Sequence, residues 1–199
     1  LCRGTARGIM SPSHVLEPTY ERLKRELLDG RWPQGTRLEA ARIADDYSVS
    51  MTPVRDCLNR LTGEGLIVSV PGEGFRVPRM AEKELRDLLD LNLVLLSQAQ
   101  ARSLRSGPSQ QILPRHTAPP ETIDDLFGRV ASGADNAAIA HVIGRISERL
   151  SAVRRIEERV VPEALEEFRN IRSLFTAGDP HLTRALKRYH MRRIRRAGD

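Results

Sequence analysis

The sequence has few of the residues that mark several specialised classes of protein. Only 4% of its 199 residues are aromatic, and it has two cysteines, Cys2 and Cys57. Two cysteines at this spacing cannot form a disulfide framework or a zinc cluster, which favours a reducing compartment. The most apolar segment, residues 91–96, is far shorter than the roughly 18 residues that a membrane span needs, and the chain opens with no signal-peptide pattern. We therefore expect a cytoplasmic protein that has no membrane partner.

The residues that are present in quantity are typical of an ordinary globular protein. Hydrophobic residues make up 40% of the chain and charged residues 29%. This balance is unlike that of disordered or fibrous proteins. The length allows one domain of about 150 residues or two smaller ones.

The positive charge of the protein is concentrated near one end. The net charge is +6, and the segment from Arg184 to Asp199 contains seven basic residues and one acidic residue, so the rest of the chain is electrically balanced. Basic residues suit the C-terminal end of a helix because they interact favourably with its dipole. The overall charge therefore does not predict nucleic-acid binding, and a DNA-binding function requires a localised site.

The first part of the chain predicts three helices and a hairpin. Helical spacing of apolar residues predicts helices that end near Gly30, Tyr47 and Glu64. Two β-favouring runs, 66–70 and 75–77, flank a turn rich in glycine and proline. Three helices followed by a two-stranded wing make a winged helix-turn-helix, whose third helix can enter the major groove of B-DNA.

The pattern changes after Pro78. Helical periodicity then continues to the end, with five predicted helices and one proline-rich break at 106–120. We therefore predict a mainly α protein with two domains. They are an N-terminal winged helix-turn-helix with a two-stranded wing at 10–79 and an all-helical bundle at 80–199.

The third predicted helix has two chemically different faces. At about 100° per residue, apolar residues gather on one side and polar residues on the other. The apolar side consists of Val54, Cys57, Leu58 and Leu61, and the polar side of Thr52, Arg55 and Asn59. Because Cys57 lies on the packing side, we interpret it as a small buried thiol rather than a redox switch.

The polar side of this helix carries residues that can read DNA bases. Arg55 can bind guanine with two hydrogen bonds and Asn59 can bind adenine in the same way, each pair contributing about 1–3 kcal/mol of discrimination. The alternative interpretation of Arg55 is a surface residue that pairs with a carboxylate such as Asp56 or Glu64. Without further evidence, an arginine at this position is better interpreted as part of a surface ion pair.

Four short motifs surround the same helix. They are G-x-x-L at 35–38, V-S-x-T-P-V-R at 49–55, L-x-x-L-x-x-E-G-L at 58–66 and G-x-G-F at 72–75. In this order they resemble the DNA-binding domain of GntR-family bacterial transcription regulators, over about the first 80 residues. The resemblance implies a domain that binds double-stranded operator DNA.

The resemblance also implies which residues contact DNA. The family uses the positions of Ser50, Thr52, Pro53 and Arg55 at the recognition helix, and that of Gly74 at the wing tip, where the backbone approaches the minor groove. Ser50 and Thr52 suit contacts to phosphates, which fix the register of the protein on DNA.

Two positions depart from the family pattern. Many members have arginine where this chain has Met51 and Ala41. Methionine cannot donate a hydrogen bond, so we expect the operator sequence or the affinity to differ from the family norm. The neighbouring Arg42 could partly take over the role of the arginine that Ala41 replaces. The candidate DNA contacts are Arg42, Ser50, Met51, Thr52, Pro53, Arg55, Asn59 and Gly74.

The all-helical second domain resembles the FadR branch of the family, whose helical bundle binds a ligand and forms the dimer. Many such domains bind a metal through one aspartate and three histidines. The positions that match these ligands are Asp124, Gly128, Phe168 and His190. Only Asp124 and His190 of these four can ligate a metal. Because two ligands do not make a selective metal site, no metal or other cofactor is expected.

An effector pocket is expected around the same positions. The family often places arginine and glutamate in the first bundle helix, where this chain has Asn92 and Leu96. The predicted pocket residues are Asn92, Leu96, Asp124, Phe168 and His190. The smaller number of polar groups predicts a pocket that is more apolar than in metal-binding relatives, or one that has closed.

The leading hypothesis is a sequence-specific transcription regulator, predicted to be a repressor. It would bind a palindromic operator as a homodimer and respond to a small-molecule effector. One alternative is a winged-helix module that binds proteins without specific DNA binding, which Met51 and the balanced charge suggest. A hydrolase that uses Asp124 and His190 is disfavoured, because no serine or cysteine nucleophile stands in a recognisable motif. We therefore predict that the protein is not an enzyme.

Overall fold

The computed structural model describes residues 12–106 and 118–197. The chain divides into two compact units between Arg79 and Met80. Part of the predicted proline-rich break, residues 107–117, lies outside the described residues, as do Cys2 and residues 10 and 11. Within the described ranges, no helix combines the length and the apolarity that crossing a bilayer requires.

Three helices and a small sheet form the first unit. The helices are α1 (Pro12–Leu28), α2 (Ala40–Tyr47) and α3 (Met51–Gly63), and the strands are β1 (Arg37–Leu38), β2 (Val68–Val70) and β3 (Gly74–Arg76). This order of elements is that of a winged helix-turn-helix. The predicted fold of this unit is thereby confirmed.

The wing differs in one respect from the predicted two-stranded hairpin, because it is a three-stranded antiparallel sheet. Its strand order is β1-β3-β2, and β1 pairs with β3 through Arg37 opposite Arg76 and Leu38 opposite Phe75. A strand of two residues is too short to show the alternation from which strands are predicted. Leu38 is only 3% exposed and anchors β1 to the interior of the unit.

One hydrophobic core holds the first unit together and fixes α3. Apolar side chains of all three helices contribute to it, together with Ile67 and Val77 beside the wing. Leu58 and Leu61 of α3 have no exposed surface, and Leu23 of α1 has almost none. Burying one such side chain contributes about 1.5–3 kcal/mol, so the orientation of α3 is set by packing.

The turn between α2 and α3 is tight. Ser48 adopts a left-handed conformation with φ of 55°. Its amide donates to the carbonyl of Asp45, and the amide of Val49 donates to that of Ala44. These bonds satisfy the last carbonyls of α2, and α3 then begins directly after the extended residue Ser50.

A hydrogen-bonded carboxylate joins α1 to α2. Glu26 of α1 accepts hydrogen bonds from Tyr47 (2.6 Å), Arg22 (2.9 Å) and Arg31. Burial opposes the ionisation of this carboxyl group, but the hydrogen bonds outweigh burial and lower the pKa of Glu26 to about 2. Glu26 therefore stays charged in all but strongly acidic solution.

The described part of the second unit contains five helices, as the sequence predicted. They are α4 (Glu82–Ser106), α5 (Ile123–Ser132), α6 (Ala137–Val160), α7 (Ala164–Ala177) and α8 (Leu182–Arg196). The helix α4 packs against α5, α6 and α8. The largest side chains at the centre are Phe127, Ile143, Leu150 and Tyr189, each at most 2% exposed. The unit is an all-helical bundle with its own core.

We expect the substitution Glu26→Gln to lower the free energy of unfolding of the first unit by about 1–2 kcal/mol at neutral pH. Hydrogen bonds to a charged acceptor contribute about 1.5–3 kcal/mol, and this carboxylate is partly exposed. Because its pKa is lowered, its contribution is fully present above 4.5 and is lost as the pH falls through about 2. Trp32, the single tryptophan of the chain, packs on this core, so its fluorescence in a urea titration reports this unit.

The control for this experiment is Glu21→Gln, which changes another glutamate of α1 that is exposed. It should leave the urea midpoint unchanged. An unchanged midpoint in Glu26→Gln at neutral pH would contradict the role of Glu26.

Candidate nucleic-acid interface and effector pocket

The helix α3 turns its polar side outward and its apolar side into the core. Thr52, Arg55 and Asn59 are exposed. Val54 and Cys57, on the opposite side, have no exposed surface. The structure therefore brings the three predicted base-reading or phosphate-contacting residues of α3 onto one accessible face.

The guanidinium group of Arg55 is not held by a carboxylate. Among the described residues it has no ion pair or hydrogen bond, with Asp56, Glu64 or any other group. Glu64 instead accepts a hydrogen bond from Tyr20 and lies 3.0 Å from the ammonium of Lys24, both on α1. The alternative interpretation of Arg55, a surface ion pair within its own helix, is therefore not what the structure shows.

The beginning of α3 is open to a ligand. Ser50 precedes the helix in an extended conformation, and its hydroxyl does not cap the helix. Pro53 is half-buried in the first turn, where a missing N–H costs nothing. A helix N-terminus with free N–H groups attracts phosphate. Met51 is 44% exposed there and adds apolar surface without a hydrogen-bond donor.

The other two predicted contacts lie on α2 and in the wing. Arg42 is exposed on α2, and Gly74 is exposed with φ of 85°, a conformation that glycine adopts without strain. The sequence did not single out Arg37, an exposed cation on β1, because that strand was not predicted. The arginine opposite it in the sheet, Arg76, is engaged with the carbonyl of Gly35 at 2.8 Å.

Cys57 has the environment of a structural thiol. It has no exposed surface, and its Sγ lies 3.6 Å from the carbonyl oxygen of Leu16. Burial, together with the nearby charge of Asp56, raises the pKa of the thiol to about 11. A thiol in this state is a poor nucleophile.

Three of the five predicted effector-pocket residues are part of a closed core. Asn92 of α4, Leu96 of α4 and His190 of α8 have no exposed surface. The Nδ1–H of His190 donates to the carbonyl of Leu186 at 2.8 Å, so its Nε2 accepts from Asn92 at 3.1 Å. Burial lowers the pKa of His190 to about 4, and the imidazole is therefore neutral at physiological pH.

The remaining two predicted pocket residues, Asp124 and Phe168, are less buried and lie at the edge of this core. Asp124 of α5 is paired with Arg154 of α6. Phe168 of α7 is half-buried against the core, with the guanidinium of Arg172 over its ring. The guanidinium of Arg154 also lies over the ring of Phe127, which connects Asp124 to the buried core. Phe127 stacks on His190 with ring centroids 5.4 Å apart.

Sequence reasoning missed two buried arginines in this unit. Arg154 of α6 and Arg193 of α8 have side chains that are 8% and 6% exposed. Arg154 follows the buried Leu150 at a spacing of four residues, and Arg193 follows the buried Tyr189 at the same spacing. The signal was an arginine that continues a buried apolar stripe, which indicates a paired internal charge.

We expect the purified protein to contain no stoichiometric divalent metal. Among the described residues, no group of three or more histidine, cysteine, aspartate or glutamate residues is arranged to hold one. Of the four positions that match the family's metal ligands, two hold Gly128 and Phe168, which cannot bind a metal. Asp124 is paired with an arginine, and Nε2 of His190 accepts a hydrogen bond. Elemental analysis of protein purified without chelators tests this expectation. About one zinc per subunit would refute it.

Comparison with known sequences finds a family likeness within the first unit. Residues 17–77 match the family model described as bacterial regulatory proteins, gntR family. The HTH-type transcriptional repressor GlaR of Escherichia coli K12 is 31% identical over 87 residues, which are 42% of this chain and 40% of GlaR. The Nta operon transcriptional regulator of Aminobacter aminovorans is 29% identical over 132 residues, 63% of this chain and 62% of that protein. The matched parts thus span less than two thirds of these curated relatives.

Comparison with solved structures extends the likeness in fold to the second unit. The structure of E. coli McbR/YncC superimposes with a TM-score of 0.68 at 16% sequence identity, covering 96% of this chain and 98% of that one. At such low identity the likeness shows the fold alone. Residues 17–77 thus resemble the helix-turn-helix domain of the gntR family, and the chain as a whole is similar in fold to E. coli McbR/YncC.

Proposed function

We propose that the protein is a sequence-specific transcription regulator, a repressor that binds a palindromic operator as a homodimer. The observation that carries this proposal is the exposed polar side of α3, with Thr52, Arg55 and Asn59 above a buried apolar side. The match of residues 17–77 to the gntR family and the names of the relatives, a transcriptional repressor and a transcriptional regulator, support it. Nothing in this function requires catalysis.

In the proposed complex with DNA, some residues contact bases and others contact phosphates. Arg55 binds a guanine and Asn59 an adenine in the major groove. Ser50, Thr52 and Arg42 contact phosphates and fix the register. The exposed glycine of the wing, Gly74, lets the backbone approach the minor groove. Phosphate contacts make the affinity depend on salt, because each one releases counterions from the DNA.

The second candidate function is a protein-interaction module that does not bind DNA specifically. The observation that favours it is Met51, whose exposed apolar side chain stands at the start of α3. Salt-dependent binding to duplex DNA separates the two functions. A protein without salt-sensitive affinity for any duplex would be an interaction module.

We expect Arg55→Ala to weaken binding to an operator duplex by about 1–3 kcal/mol, roughly a factor of 5–150 in Kd, and to leave the fold intact. The duplex is one that the unaltered protein selects from a random pool, and the Kd is measured by fluorescence anisotropy at fixed salt. Urea titration with Trp32 as the probe checks the fold.

The matched control is Arg159→Ala, which removes an exposed cation of the same type from the second unit. It should change the Kd by less than about twofold. An equal Kd for Arg55→Ala and the unaltered protein, or an equal loss of affinity in the control, would contradict the assignment of Arg55 as a base-reading residue.

The homodimer is proposed to form through α4. Leu91 and Val94 of this helix are 45% and 52% exposed, although Leu89 and Leu96 on its inner side are buried. Residues three apart lie on the same side of a helix, so the two exposed side chains form one apolar patch. A two-fold interface there would let two α3 helices bind the two half-sites of a palindrome.

We expect the double substitution Leu91→Glu and Val94→Glu to convert a dimer into a monomer. Two buried carboxylates facing two others across a two-fold axis are costly to desolvate. Light scattering coupled to size-exclusion chromatography measures the mass. The control is Val142→Glu with Leu165→Glu, which changes the same two residue types at exposed positions of α6 and α7. A monomeric parent protein, or a variant that stays dimeric, would contradict an interface through α4.

We also propose that the second unit binds a small-molecule effector and thereby changes operator affinity. Coupling between two sites of one protein typically amounts to about 1–3 kcal/mol. A ligand that binds one orientation of the DNA-binding units better than another would supply it.

A further inference from the structure

The second unit has a cavity that none of the five predicted pocket residues lines. Its volume is about 200 Å³, and it lies between the beginning of α4, the second half of α6 and the end of α8. Its walls are mainly aliphatic and include Leu85, Leu89, Leu150, Val153, Ile156 and Val160. The cavity is thus a place where an apolar molecule would be shielded from water.

The polar groups of this cavity are mainly cationic. Among the described residues that line it, three are arginines, Arg154, Arg193 and Arg196, and one is acidic, Glu157. Arg154 is paired with Asp124 through Nη1, and Arg193 is paired with Glu157 and, at 2.7 Å, with Glu167. Each of these two guanidinium groups is therefore held in place by carboxylates that engage only part of it.

One nitrogen of each of these guanidinium groups has no acceptor. Nη2 of Arg154 and Nη2 of Arg193 are buried and have no hydrogen-bond partner among the described residues. A buried donor without a partner costs about 1–3 kcal/mol. The cavity therefore combines an apolar wall with two lining arginines, each of which keeps one buried donor without a partner. A molecule with an apolar body and one anionic group would complement both features.

The size of the cavity limits this molecule. A cavity of roughly 150 Å³ lined by aliphatic and aromatic side chains holds benzene, so this cavity has room for a ring or a short aliphatic chain together with a carboxylate. A carboxylate is an acceptor that guanidinium groups bind strongly, often through two hydrogen bonds. A sugar or an inorganic anion would leave the aliphatic walls without a partner.

We propose that this cavity binds a compact apolar monocarboxylate, whose carboxylate accepts hydrogen bonds from the unpartnered Nη2 groups of Arg154 and Arg193. This inference deepens the proposed effector role of the second unit and rests on it for its regulatory meaning. Entry needs no unfolding of the bundle, since Ile156 and Val160 on the cavity wall are 51% and 57% exposed.

The test is calorimetric titration of the full chain, without DNA, with octanoate and phenylacetate. The matched probes octanamide and phenylacetamide have the same apolar bodies and no charge. We expect one molecule of acid to bind per subunit, and each amide to bind at least about tenfold more weakly than its acid, because an amide lacks the charge-assisted hydrogen bonds.

Two variants locate the binding. Arg154→Met should weaken binding of both acids at least about tenfold. Val160→Trp fills the cavity from its exposed wall without removing a charge, and it should abolish binding. The matched control is Val142→Trp, which places the same side chain at an exposed position of α6 outside the cavity and should bind the acids normally.

Several results would overturn the inference. They are the absence of saturable one-to-one binding of either acid, equal binding of acid and amide, and unchanged binding in Val160→Trp. If Arg154→Met does not fold, the amides and Val160→Trp still decide the question. The outcome is separate from that of the DNA experiments, because Arg55→Ala should bind the acids normally and the titrations contain no DNA.

Discussion

The burial of the apolar side of α3 is the constraint on which the proposed function depends. Val54, Cys57, Leu58 and Leu61 all have no exposed surface. Truncating one buried leucine typically costs about 2–5 kcal/mol, whereas a base contact contributes about 1–3 kcal/mol. The orientation of α3 is therefore held by more free energy than any single DNA contact could supply. In the proposed DNA binding, the polar side would therefore be presented without rearrangement, and little binding energy would be spent on ordering it.

The faces of α3 could be predicted from the sequence, but the state of Arg55 could not. The division into faces depends only on the helical repeat, which the positions of Val54, Leu58 and Leu61 already show. Whether Arg55 is free depends on where the carboxylate of Glu64 is engaged. That carboxylate is taken by Tyr20 and Lys24, which are 44 and 40 residues away in the sequence. Such an interaction is decided by tertiary packing. The strand β1 escaped prediction for the same reason, because its two residues are extended only by pairing with β3.

In the second unit, even more of the structure depends on contacts between distant parts of the chain. The number of helices followed from apolar periodicity, and the absence of two of the family's histidines followed from alignment of motifs. The location of the cavity could not be predicted from the sequence. Asn92 and His190 are 98 residues apart in the sequence, and both are buried with a hydrogen bond between them. Arginines and carboxylates form a charged network inside the bundle around Arg154 and Arg193, beside an aliphatic cavity. An internal arginine on a buried stripe was the one clue to it in the sequence.

The claim that Arg55 reads a base can be tested most directly by changing one atom of the DNA. Replacing a guanine of the selected duplex by 7-deazaguanine removes the N7 acceptor that a bidentate arginine needs. The Kd of both duplexes is then measured with the unaltered protein and with Arg55→Ala. We predict that at one guanine in each half-site the replacement weakens the unaltered protein about tenfold or more and has no effect on the variant. Equal effects on both proteins at every guanine would show that Arg55 does not read the sequence.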